Sequence, residues 1–310
     1  MRFGIALENF TPPGRSPSSE SILQMAKTAE SYGFESVWTW DHLLLGSRKV
    51  FPVLESLSTL EFIGAKTSKI KLGTSVLIMA LRNPLVLAKT LSTIQILTGG
   101  RLVLGAATGW YEREFRATGV DYKKRGKIFE EEFQLVRKLL EDSDVNFRSG
   151  RIVLEHATLE PRSTVRIPML MGGYSDAVLE RVGRLSDGWI SYYYRPEDFR
   201  DSFTKVIVSA QSSNRDPDKM KSVDVVPLAV ANTFDEGDRL ARDFTSKYMD
   251  LPNNTQCNVG SSVKGRIPEC IDQVRKYESM GVQELVFIPS NYDIAQVELA
   301  GKEILPAFLK

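Results

Sequence analysis

Two polar residues follow an apolar run near the start of the chain. The segment WDHLL places Asp41 and His42 directly after SVWTW. An imidazole exchanges protons near neutral pH, so His42 could donate or accept one, with Asp41 fixing the loop by bonding its backbone. The alternative is a histidine that makes only structural hydrogen bonds. The position at the end of a strand favours the catalytic interpretation.

A second candidate is the segment GGYSD, in which Gly172, Gly173 and Ser175 stand between a strand pattern and a helix pattern. Amides exposed at a helix N-terminus, together with the Ser175 hydroxyl, could hold a phosphate. Equally, the glycines could only make the turn and Ser175 only cap the helix. Asp176 in the first helical turn would repel a phosphate, so both interpretations remain open on this motif alone.

Two further strand ends are built from small residues, in LGTSVLIM from Leu72 and RLVLGAATGW from Arg101. Small side chains let a flat ring approach the backbone, although they also fill the taper of a barrel. Trp40 could wall such a ring. Because side chains alternate along a strand, Trp38 points the same way as Trp40, and one of the two could serve only as barrel filling.

The elements that would position these residues alternate between short β-type runs and longer amphipathic stretches. This alternation predicts repeated βα units and a parallel sheet. Eight such units in a chain of 310 residues match one closed (β/α)8 TIM barrel, so we predict a single α/β domain over residues 1–310. The predicted strands are RFGIALE from Arg2, SVWTW from Ser36, IKLGTSV from Ile70, RLVLGAAT from Arg101, PMLMGG from Pro168, DGWISYY from Asp187, VDVVPLAVA from Val223 and ELVFIP from Glu284.

Two segments are longer than a βα connection needs. Residues 144–166 are predicted to form an insertion, a small hairpin before strand five, and residues 250–267 form a second insertion after strand seven; long ordered loops of this kind are often lids. In a barrel the carboxyl ends of the strands carry the active site. The residues at those ends are Glu8, Asn9, Trp40, Asp41, His42, Ser75, Val76, Thr108, Gly109, Trp110, Gly172 to Ser175 and Tyr192 to Arg195.

Composition narrows the class of protein. The chain is 42% hydrophobic and 25% charged, with 40 Lys and Arg against 39 Asp and Glu. These values exclude a disordered, collagenous or disulfide-scaffold protein. The net charge is +1, and the Lys and Arg residues form no basic cluster that would bind nucleic acid or an anionic membrane surface. The expected partner is therefore a small molecule.

Cysteine and histidine are scarce. Cys257 and Cys270 lack a CxxC arrangement and are expected to be free thiols in a reducing compartment. His42 and His156 are too few for a histidine-based zinc site, and we predict no metal; His156 lies in the predicted hairpin and is expected to be structural. Glu8 interrupts any signal sequence and no apolar run approaches membrane length, which predicts a cytoplasmic protein.

No GxSxG, Walker or GxGxxG motif occurs. Taken together, four stretches resemble the luciferase-like monooxygenase family, most closely its branch of oxidoreductases that depend on the deazaflavin coenzyme F420. Their order and spacing cover nearly the whole chain. They are GFESVWTWDHLL, KIKLGTSVLIMALRNPLVLAKTLSTIQILTGGRLVLGAATGW, GGYSDAVLERVGRLSDGW and IPECIDQVRKYESMGVQELVF.

This resemblance implies a single (β/α)8 barrel, assembled as a dimer or larger homo-oligomer, that holds F420 or FMN at its carboxyl end. It implies a cis peptide between Ser75 and Val76 that buttresses the ring, and His42 over the reactive face. We predict His42 and Asp41 as the catalytic residues. We predict the following cofactor-binding residues: Thr74, Ser75, Val76, Thr108, Gly109, Trp110, Gly172, Gly173, Tyr174 and Ser175.

One position departs from the family pattern. Sugar-phosphate dehydrogenases of this family carry a catalytic glutamate directly after the TG of strand four, where this chain has Trp110. A sugar phosphate is therefore a doubtful substrate. Proton transfer falls to His42 or a substrate-bound water, or else Glu112 or Glu114 reaches into the site.

The resulting hypothesis is an oxidoreductase that transfers hydride between reduced F420 and an organic substrate, with His42 exchanging the proton. One alternative is an FMNH2-dependent monooxygenase supplied by a separate flavin reductase. Another is a homologue that binds a flavin without turning it over. A cofactor-free hydrolase with paired carboxylates ranks below these, since strand seven ends in Ala231, Asn232 and Thr233.

Overall fold

The computed structural model describes residues 1–248 and 261–308. The strands are, in chain order, β1 (Arg2–Ala6), β2 (Ser36–Thr39), β3 (Leu45–Gly46), β4 (Val50–Phe51), β5 (Lys71–Thr74), β6 (Leu77–Ile78), β7 (Leu102–Ala107), β8 (Val145–Arg148), β9 (Val153–Ala157), β10 (Met169–Gly172), β11 (Gly188–Tyr192), β12 (Lys221–Val230), β13 (Val263–Gly265) and β14 (Glu284–Pro289). The helices are α1 (Ser19–Ser31), α2 (Ser56–Gly64), α3 (Pro84–Leu97), α4 (Glu112–Ala117), α5 (Arg125–Glu141), α6 (Asp176–Leu185), α7 (Pro196–Ser212), α8 (Phe234–Tyr248), α9 (Ile267–Ser279) and α10 (Ile294–Leu299).

The parallel strands close into a barrel in the order β1, β2, β5, β7, β10, β11, β12 and β14, with β14 pairing back onto β1. The β7–β10 pair, in which Leu104 faces Met169, completes the circle. These are the eight strands predicted from sequence, so the prediction of a (β/α)8 TIM barrel is confirmed. The carboxyl ends of the strands therefore meet at one mouth.

The third predicted strand is shorter than expected. The run IKLGTSV was predicted as one strand, but β5 ends at Thr74, and the chain then crosses to pair Leu77 with Ala106 of β7 as β6. The amide of Ser75 still donates to the carbonyl of Thr39 on β2, 2.8 Å away. The Ser75–Val76 bond thus lies where the chain passes from one neighbouring strand to the other.

The barrel interior is filled around Trp38, which is 1% exposed. A Cβ atom at Gly73 would stand 2.3 Å from the Trp38 ring, and one at Gly4 would stand 2.9 Å from its Nε1. Glycine is required at both positions because the indole occupies the space of a side chain. The predicted alternation is confirmed: Trp38 fills the barrel, whereas Trp40 lies at the mouth.

The helices cover the outside of the barrel with their apolar faces. In α1 the buried side chains are Ile22, Met25, Ala26 and Ala29, and Ser18 caps the helix by accepting from the amide of Ser21. Gly33, after α1, and Gly281, after α9, are in the left-handed region, with φ values of 80° and 95°. Each glycine therefore turns its chain from a helix into the following strand.

The first predicted insertion is confirmed as an antiparallel hairpin of β8 and β9. Most of the second, residues 250–260, lies outside the described residues, as does Cys257; its described part includes β13, which pairs with β12. No helix in the described ranges is both long and apolar enough to cross a bilayer.

Candidate active site

A cavity of about 560 Å³ opens at the carboxyl ends of the barrel strands. All the predicted catalytic and cofactor-binding residues except Thr74 line it, whereas Glu8, Asn9, Tyr194 and Arg195, also expected at the strand ends, do not. The side chain of Thr74 instead turns toward β7, donating to the carbonyl of Gly105 at 2.7 Å and accepting from its amide at 3.0 Å. The barrel thus brings residues from four separate segments of the sequence to one space: Asp41, His42, Ser75, Val76, Thr108, Gly109, Trp110, Gly172, Gly173, Tyr174 and Ser175.

His42 is held by Glu114, a fully buried residue of α4. Glu114 Oε2 lies 2.9 Å from Nδ1 of His42, and Oε1 accepts from the backbone amides of Leu43 and Leu44. Because a carboxylate only accepts, this arrangement assigns the Nδ1 proton to the imidazole. Nε2 then has no hydrogen-bond partner among the described residues and is the nitrogen free to act on a ligand in the cavity.

Asp41 was predicted to bond the backbone of its own loop, and this prediction is wrong. Its carboxylate accepts from the amide of Ile78 at 2.8 Å and from both terminal nitrogens of Arg82 at 2.7 and 2.8 Å. Arg82 also pairs with Glu55 at 2.7 Å. Both oxygens of Asp41 therefore have partners, and Asp41 joins the loop after β2 to the segment after β5. The residue that binds the backbone amides of the His42 loop is Glu114.

The Ser75–Val76 peptide is cis, as the resemblance implies. The Ser75 hydroxyl lies 2.9 Å from the hydroxyl of Tyr192, at the end of β11. Burial raises the pKa of Tyr192 well above its ordinary value, so its hydroxyl stays protonated and can donate to Ser75. The Tyr192 ring also lies 5.8 Å from that of Trp40, which gives the cavity an aromatic wall.

The loop from Gly172 to Ser175 leads into α6. Ser175 is the N-cap of α6, but its side chain makes no capping hydrogen bond and instead lines the cavity. Asp176 forms an ion pair with Lys205 at 2.6 Å, and its side chain is 82% exposed. The charge of Asp176, which was expected to repel a phosphate, is therefore paired with a cation and faces solvent.

Trp110 lies edge-on to His42 with the ring centroids 5.4 Å apart. Its side chain is partly exposed at the mouth. Glu112, the other acid considered for proton transfer, forms an exposed ion pair with Arg116. Of the two acids, Glu114 is thus the one at the site, and it acts on His42 rather than on the cavity.

Glu8 and Asn9 lie beside the cavity without lining it. Burial raises the pKa of the Glu8 carboxyl, which accepts from Tyr248 at 2.6 Å and from Arg15 at 2.7 Å. The side chain of Asn9 accepts from the amide of Trp40 and donates to its carbonyl, each at 2.8 Å. Both residues therefore stabilise the segments that form the mouth of the barrel without contacting the cavity.

Sequence reasoning missed the cavity-lining residues that come from loops and from α5. Arg125 and Tyr122 follow the short helix α4, so no strand end signals them. Leu45 and Val53 belong to the segment around the small β3–β4 hairpin, where single apolar residues carry no distinctive pattern. An indirect signal for Arg125 exists in the run of cations KKRGK, residues 123–127.

The remaining residues singled out from sequence lie elsewhere. His156 is an exposed hairpin residue whose Nδ1 lies 2.8 Å from Asp144. Cys270 is a buried free thiol, and burial raises its pKa to about 12. Within residues 1–248 and 261–308, His, Cys, Asp and Glu side chains form no group that could hold a metal ion.

A sequence model of the luciferase-like monooxygenase family matches residues 1–281. The chain belongs to this family. Over 229 residues it is 30% identical to a 5,10-methylenetetrahydromethanopterin reductase of Methanolobus tindarius, a match that spans 74% of this chain and 64% of the relative. It is 29% identical to an F420-dependent glucose-6-phosphate dehydrogenase of Amycolatopsis mediterranei over 54% of this chain and 52% of the relative. The matches therefore span less than two thirds of the length of either relative.

Solved structures of this luciferase-like fold superpose along the whole chain. An F420-dependent secondary alcohol dehydrogenase in complex with an F420–acetone adduct gives a TM-score of 0.85 at 19% identity, covering 100% of this chain and 99% of the other. The oxygenating constituent of 3,6-diketocamphane monooxygenase from Pseudomonas putida, in complex with FMN, gives 0.81 at 15% identity, covering 100% and 99%. At these identities the likeness shows a common fold.

Proposed function

We propose that this luciferase-like enzyme binds coenzyme F420 in the cavity and transfers hydride between the reduced coenzyme and a small organic substrate. The observation that carries the proposal is the convergence of His42, the Ser75–Val76 bond and the loop from Gly172 to Ser175 on one cavity. Relatives that use F420, among them the Amycolatopsis dehydrogenase, support the choice of coenzyme.

The residues present fit a flat ring with a phosphate-bearing tail. A cavity of about 560 Å³ is within the range of small-molecule sites. Val76, Trp40 and Tyr192 offer apolar surface on which a ring would stack, and Ser175 offers a hydroxyl that no helix cap consumes. When bound, the reduced deazaflavin supplies the hydride, while the protein supplies orientation and electrostatics.

In this proposal His42 exchanges the proton that accompanies hydride transfer. Glu114 fixes the imidazole with its proton on Nδ1, so Nε2 accepts a proton from an alcohol, or donates one to a carbonyl once the ring is protonated. Asp41 is a positioning residue, since Arg82 and the Ile78 amide occupy its carboxylate. Trp110 contacts His42 and limits the water that reaches it.

The substrate side of the cavity is mainly apolar. Phe10, Leu45, Val53 and Trp110 line it, and none offers a charge for a sugar phosphate. We therefore propose an uncharged, partly apolar alcohol or carbonyl compound as the substrate class.

An FMNH2-dependent monooxygenase supplied by a separate flavin reductase is the second candidate. The 3,6-diketocamphane monooxygenase structure, which contains FMN, favours it. The same ring-binding strand ends and phosphate loop would serve FMN.

We also propose that two copies of the chain associate through α2 and α3. These helices expose large apolar side chains while burying others against the barrel, a pattern typical of helices covered on both sides. The exposed residues are Phe62, Leu85, Val86, Ile96 and Leu97. Sedimentation of the protein should give the dimer mass, and Leu97→Lys should shift it to the monomer; a monomeric wild type would contradict this proposal.

Titration of the purified, cofactor-free protein with F420 and with FMN, followed by ring fluorescence or absorbance, tests the proposed function. Tight binding of F420 alone supports F420-dependent hydride transfer. Preference for FMN favours the monooxygenase, and binding of neither contradicts both. Oxidation of reduced F420 by a panel of uncharged carbonyl compounds then separates an enzyme from a homologue that only binds the coenzyme.

A further inference from the structure

Asp224 is a buried carboxyl that the proposed mechanism does not use. It lies on β12, where it is 0% exposed, and it faces Ser191 of the paired strand β11. The Ser191 hydroxyl donates to Oδ1 of Asp224 at 2.7 Å. Oδ2 is buried without a hydrogen-bond partner among the described residues. A carboxyl in this setting is costly to ionise, because one of its oxygens would carry charge with no donor.

None of the groups that face this carboxyl within the described part of the chain is a cation. Three of them are tyrosines, namely Tyr192 from β11, Tyr194 from the segment after β11, and Tyr277 from α9. Helix α7 contributes charges only next to these tyrosines: Glu197 beside Tyr277, and Asp198 and Lys205 beside Tyr194. An ionised Asp224 would therefore be a buried charge without a counter-charge, and burial raises its pKa to about 8.

Asp224 lies directly behind one wall of the cavity. The side chains of Tyr192 and Tyr193 line this wall. The amide of Tyr193 donates to the carbonyl of Val225, the residue after Asp224, at 2.9 Å. The amide of Tyr194 faces the Asp224 carboxyl itself. The same short segment therefore meets the cavity with its side chains and Asp224 with its backbone.

This segment adopts a conformation that its neighbours must hold in place. Tyr193 has a φ of 55°, in the left-handed region that is unfavourable for a large side chain. The hydroxyl of Tyr277 donates to the carbonyl of Tyr194 at 2.9 Å, and the Tyr194 ring stacks on that of Tyr174 with the centroids 5.4 Å apart. The positions of the cavity tyrosines therefore depend on contacts made behind them, including those with Asp224.

Ionisation of Asp224 should act on this segment rather than on the strands. An ionised Oδ2 is stabilised only when water or a donor reaches it. Val223 and Val225, on either side of Asp224, are held in the ladder by β11 and β14. Residues 192–194, by contrast, leave the ladder and border the cavity. Movement of this segment would admit water and would separate the hydroxyls of Tyr192 and Ser75, which are 2.9 Å apart.

We propose that Asp224 is a positioning residue for the cofactor site, and that Tyr192 and Tyr193 keep their ligand-binding positions only while the Asp224 carboxyl carries a proton. The inference rests on the proposed function and deepens it, because it makes cofactor affinity depend on pH through a residue that does not touch the ligand. Ligand binding and ionisation of Asp224 then oppose each other. By linkage, a bound ligand raises the pH at which Asp224 ionises.

The first test measures the dissociation constants of F420 and FMN by fluorescence titration at pH 7 and at pH 9. In the wild type each should bind about 3- to 10-fold more weakly at pH 9, where only about a tenth of the protein retains the proton. Asp224→Asn keeps the shape of the side chain but cannot ionise, so its affinities should change less than about twofold. Ionisation of the ligands affects both proteins alike, and an equal pH dependence in the two would overturn the inference.

Glu132→Gln is the matched control. Glu132 is another buried carboxyl with an unpartnered oxygen, and burial raises its pKa to about 7. It pairs with Arg151 of the β8–β9 hairpin and does not line the cavity. This variant should keep the pH dependence of the wild type. Loss of the dependence in Glu132→Gln would overturn the assignment to Asp224.

The second test needs no variant. Carbon NMR follows the carboxyl of Asp224 as the pH is raised, with the signal assigned through its bonds to the backbone. We expect a midpoint near pH 8 in the free protein and a midpoint about 0.5 to 1 pH unit higher with F420 or FMN bound. A midpoint that the ligand does not move would overturn the inference, even if Asp224→Asn fails to fold.

A wild type that binds neither F420 nor FMN would contradict the proposed function, and a third measurement then decides the inference alone. Hydrogen exchange of the amides of residues 192–195 is compared between the wild type and Asp224→Asn. Between pH 7 and pH 9 the wild type should lose protection relative to the variant, because an ionised Asp224 releases the segment. A constant ratio of the exchange rates would overturn the inference.

Discussion

The hydroxyl of Tyr192 and the hydroxyl of Ser75 are 2.9 Å apart, although β11 and β5 are separated by two other strands of the barrel. This hydrogen bond connects the aromatic wall formed by Tyr192 and Trp40 to the cis peptide that follows Ser75. The aromatic wall and the cis peptide are therefore positioned relative to each other by one pair of side chains.

Tyr192→Phe should weaken cofactor binding about 3- to 10-fold, because a hydrogen bond of this kind contributes about 0.5–1.5 kcal/mol. The dissociation constant measured by fluorescence titration checks this. Tyr194→Phe is the control, since the Tyr194 hydroxyl has only a 3.5 Å contact with Ser202 outside the cavity. Equal losses in the two variants would show that Ser75 does not depend on Tyr192.

Glu114→Gln should lower turnover about 10²- to 10⁴-fold, the usual contribution of general acid–base catalysis. The glutamine Oε1 can still accept from the amides of Leu43 and Leu44, but its NH2 group would face Nδ1 of His42 and drive the ring to the other tautomer. Nitrogen NMR of the imidazole reports that tautomer directly.

His42→Ala should lower turnover by a similar factor. Because the two residues act as a unit, the double variant with Glu114→Gln should lower turnover little further. Cofactor affinity should change less than about twofold in each variant. Turnover that is unchanged in His42→Ala would remove this histidine from the mechanism. Additive losses would instead give Glu114 a role independent of His42.

Gly172→Ala should destabilise the cofactor loop. The added Cβ would stand 3.1 Å from Cγ1 of Val76 and 3.3 Å from the carbonyl oxygen of Ile190, so the neighbours would have to move. We expect a loss of about 1–3 kcal/mol in the free energy of unfolding and weaker cofactor binding. Gly150→Ala in the β8–β9 hairpin, where nothing lies within 4 Å, should change neither quantity.

Arg82→Met should lower the free energy of unfolding by about 3–5 kcal/mol, because it leaves the buried Asp41 carboxylate without its charged partner. Urea unfolding measures this loss. Arg116→Met, which breaks an exposed pair with Glu112, should cost less than about 1 kcal/mol. Similar costs for the two variants would mean that Asp41 does not depend on Arg82.

The buried carboxyl of Asp224 should make the free energy of unfolding fall as the pH rises. It is fully buried on β12, with Oδ1 accepting from Ser191 at 2.7 Å and Oδ2 unpartnered among the described residues, and burial raises its pKa to about 8. Between about pH 4, near the unfolded pKa, and pH 8, the folded state retains a proton that the unfolded state has released, so stability decreases. Above pH 8 both states have released the proton, so the loss in the free energy of unfolding stays constant.

Asp224→Asn cannot titrate, so the stability of the wild type relative to this variant should fall by about 1.4 kcal/mol for each pH unit between pH 5 and pH 8. Urea unfolding of both proteins at each pH gives this difference. Parallel stability curves for the two proteins would contradict the prediction.

The barrel was predictable because its strands repeat a local pattern. Runs such as ELVFIP and DGWISYY are apolar on both faces, which only strands covered on both sides satisfy, and glycines such as Gly33 mark where helices end. The end of β5 was not predictable from propensity, since Ser75 and Val76 continue the apolar pattern while the chain passes to another partner.

The partners of the site residues were less predictable than the residues themselves. His42 was identified by its place at a strand end, but Glu114 is 72 positions away on a short helix, and nothing local indicates that its carboxylate turns inward. Arg82 and Arg125 were missed for the same reason. A strand end fixes where a side chain lies, whereas its hydrogen-bond partner depends on how the loops pack.

The β8–β9 hairpin connects α5 to β10, so it leaves the barrel at the amino-terminal end of the strands, opposite the cavity. Gly150 in its turn is exposed, and a Cβ atom there would have no neighbour within 4 Å. A dye, an affinity tag or a surface linker attached at this turn would therefore leave the mouth facing solution. The enzyme could be immobilised in one orientation, with every molecule presenting its cavity to the substrate.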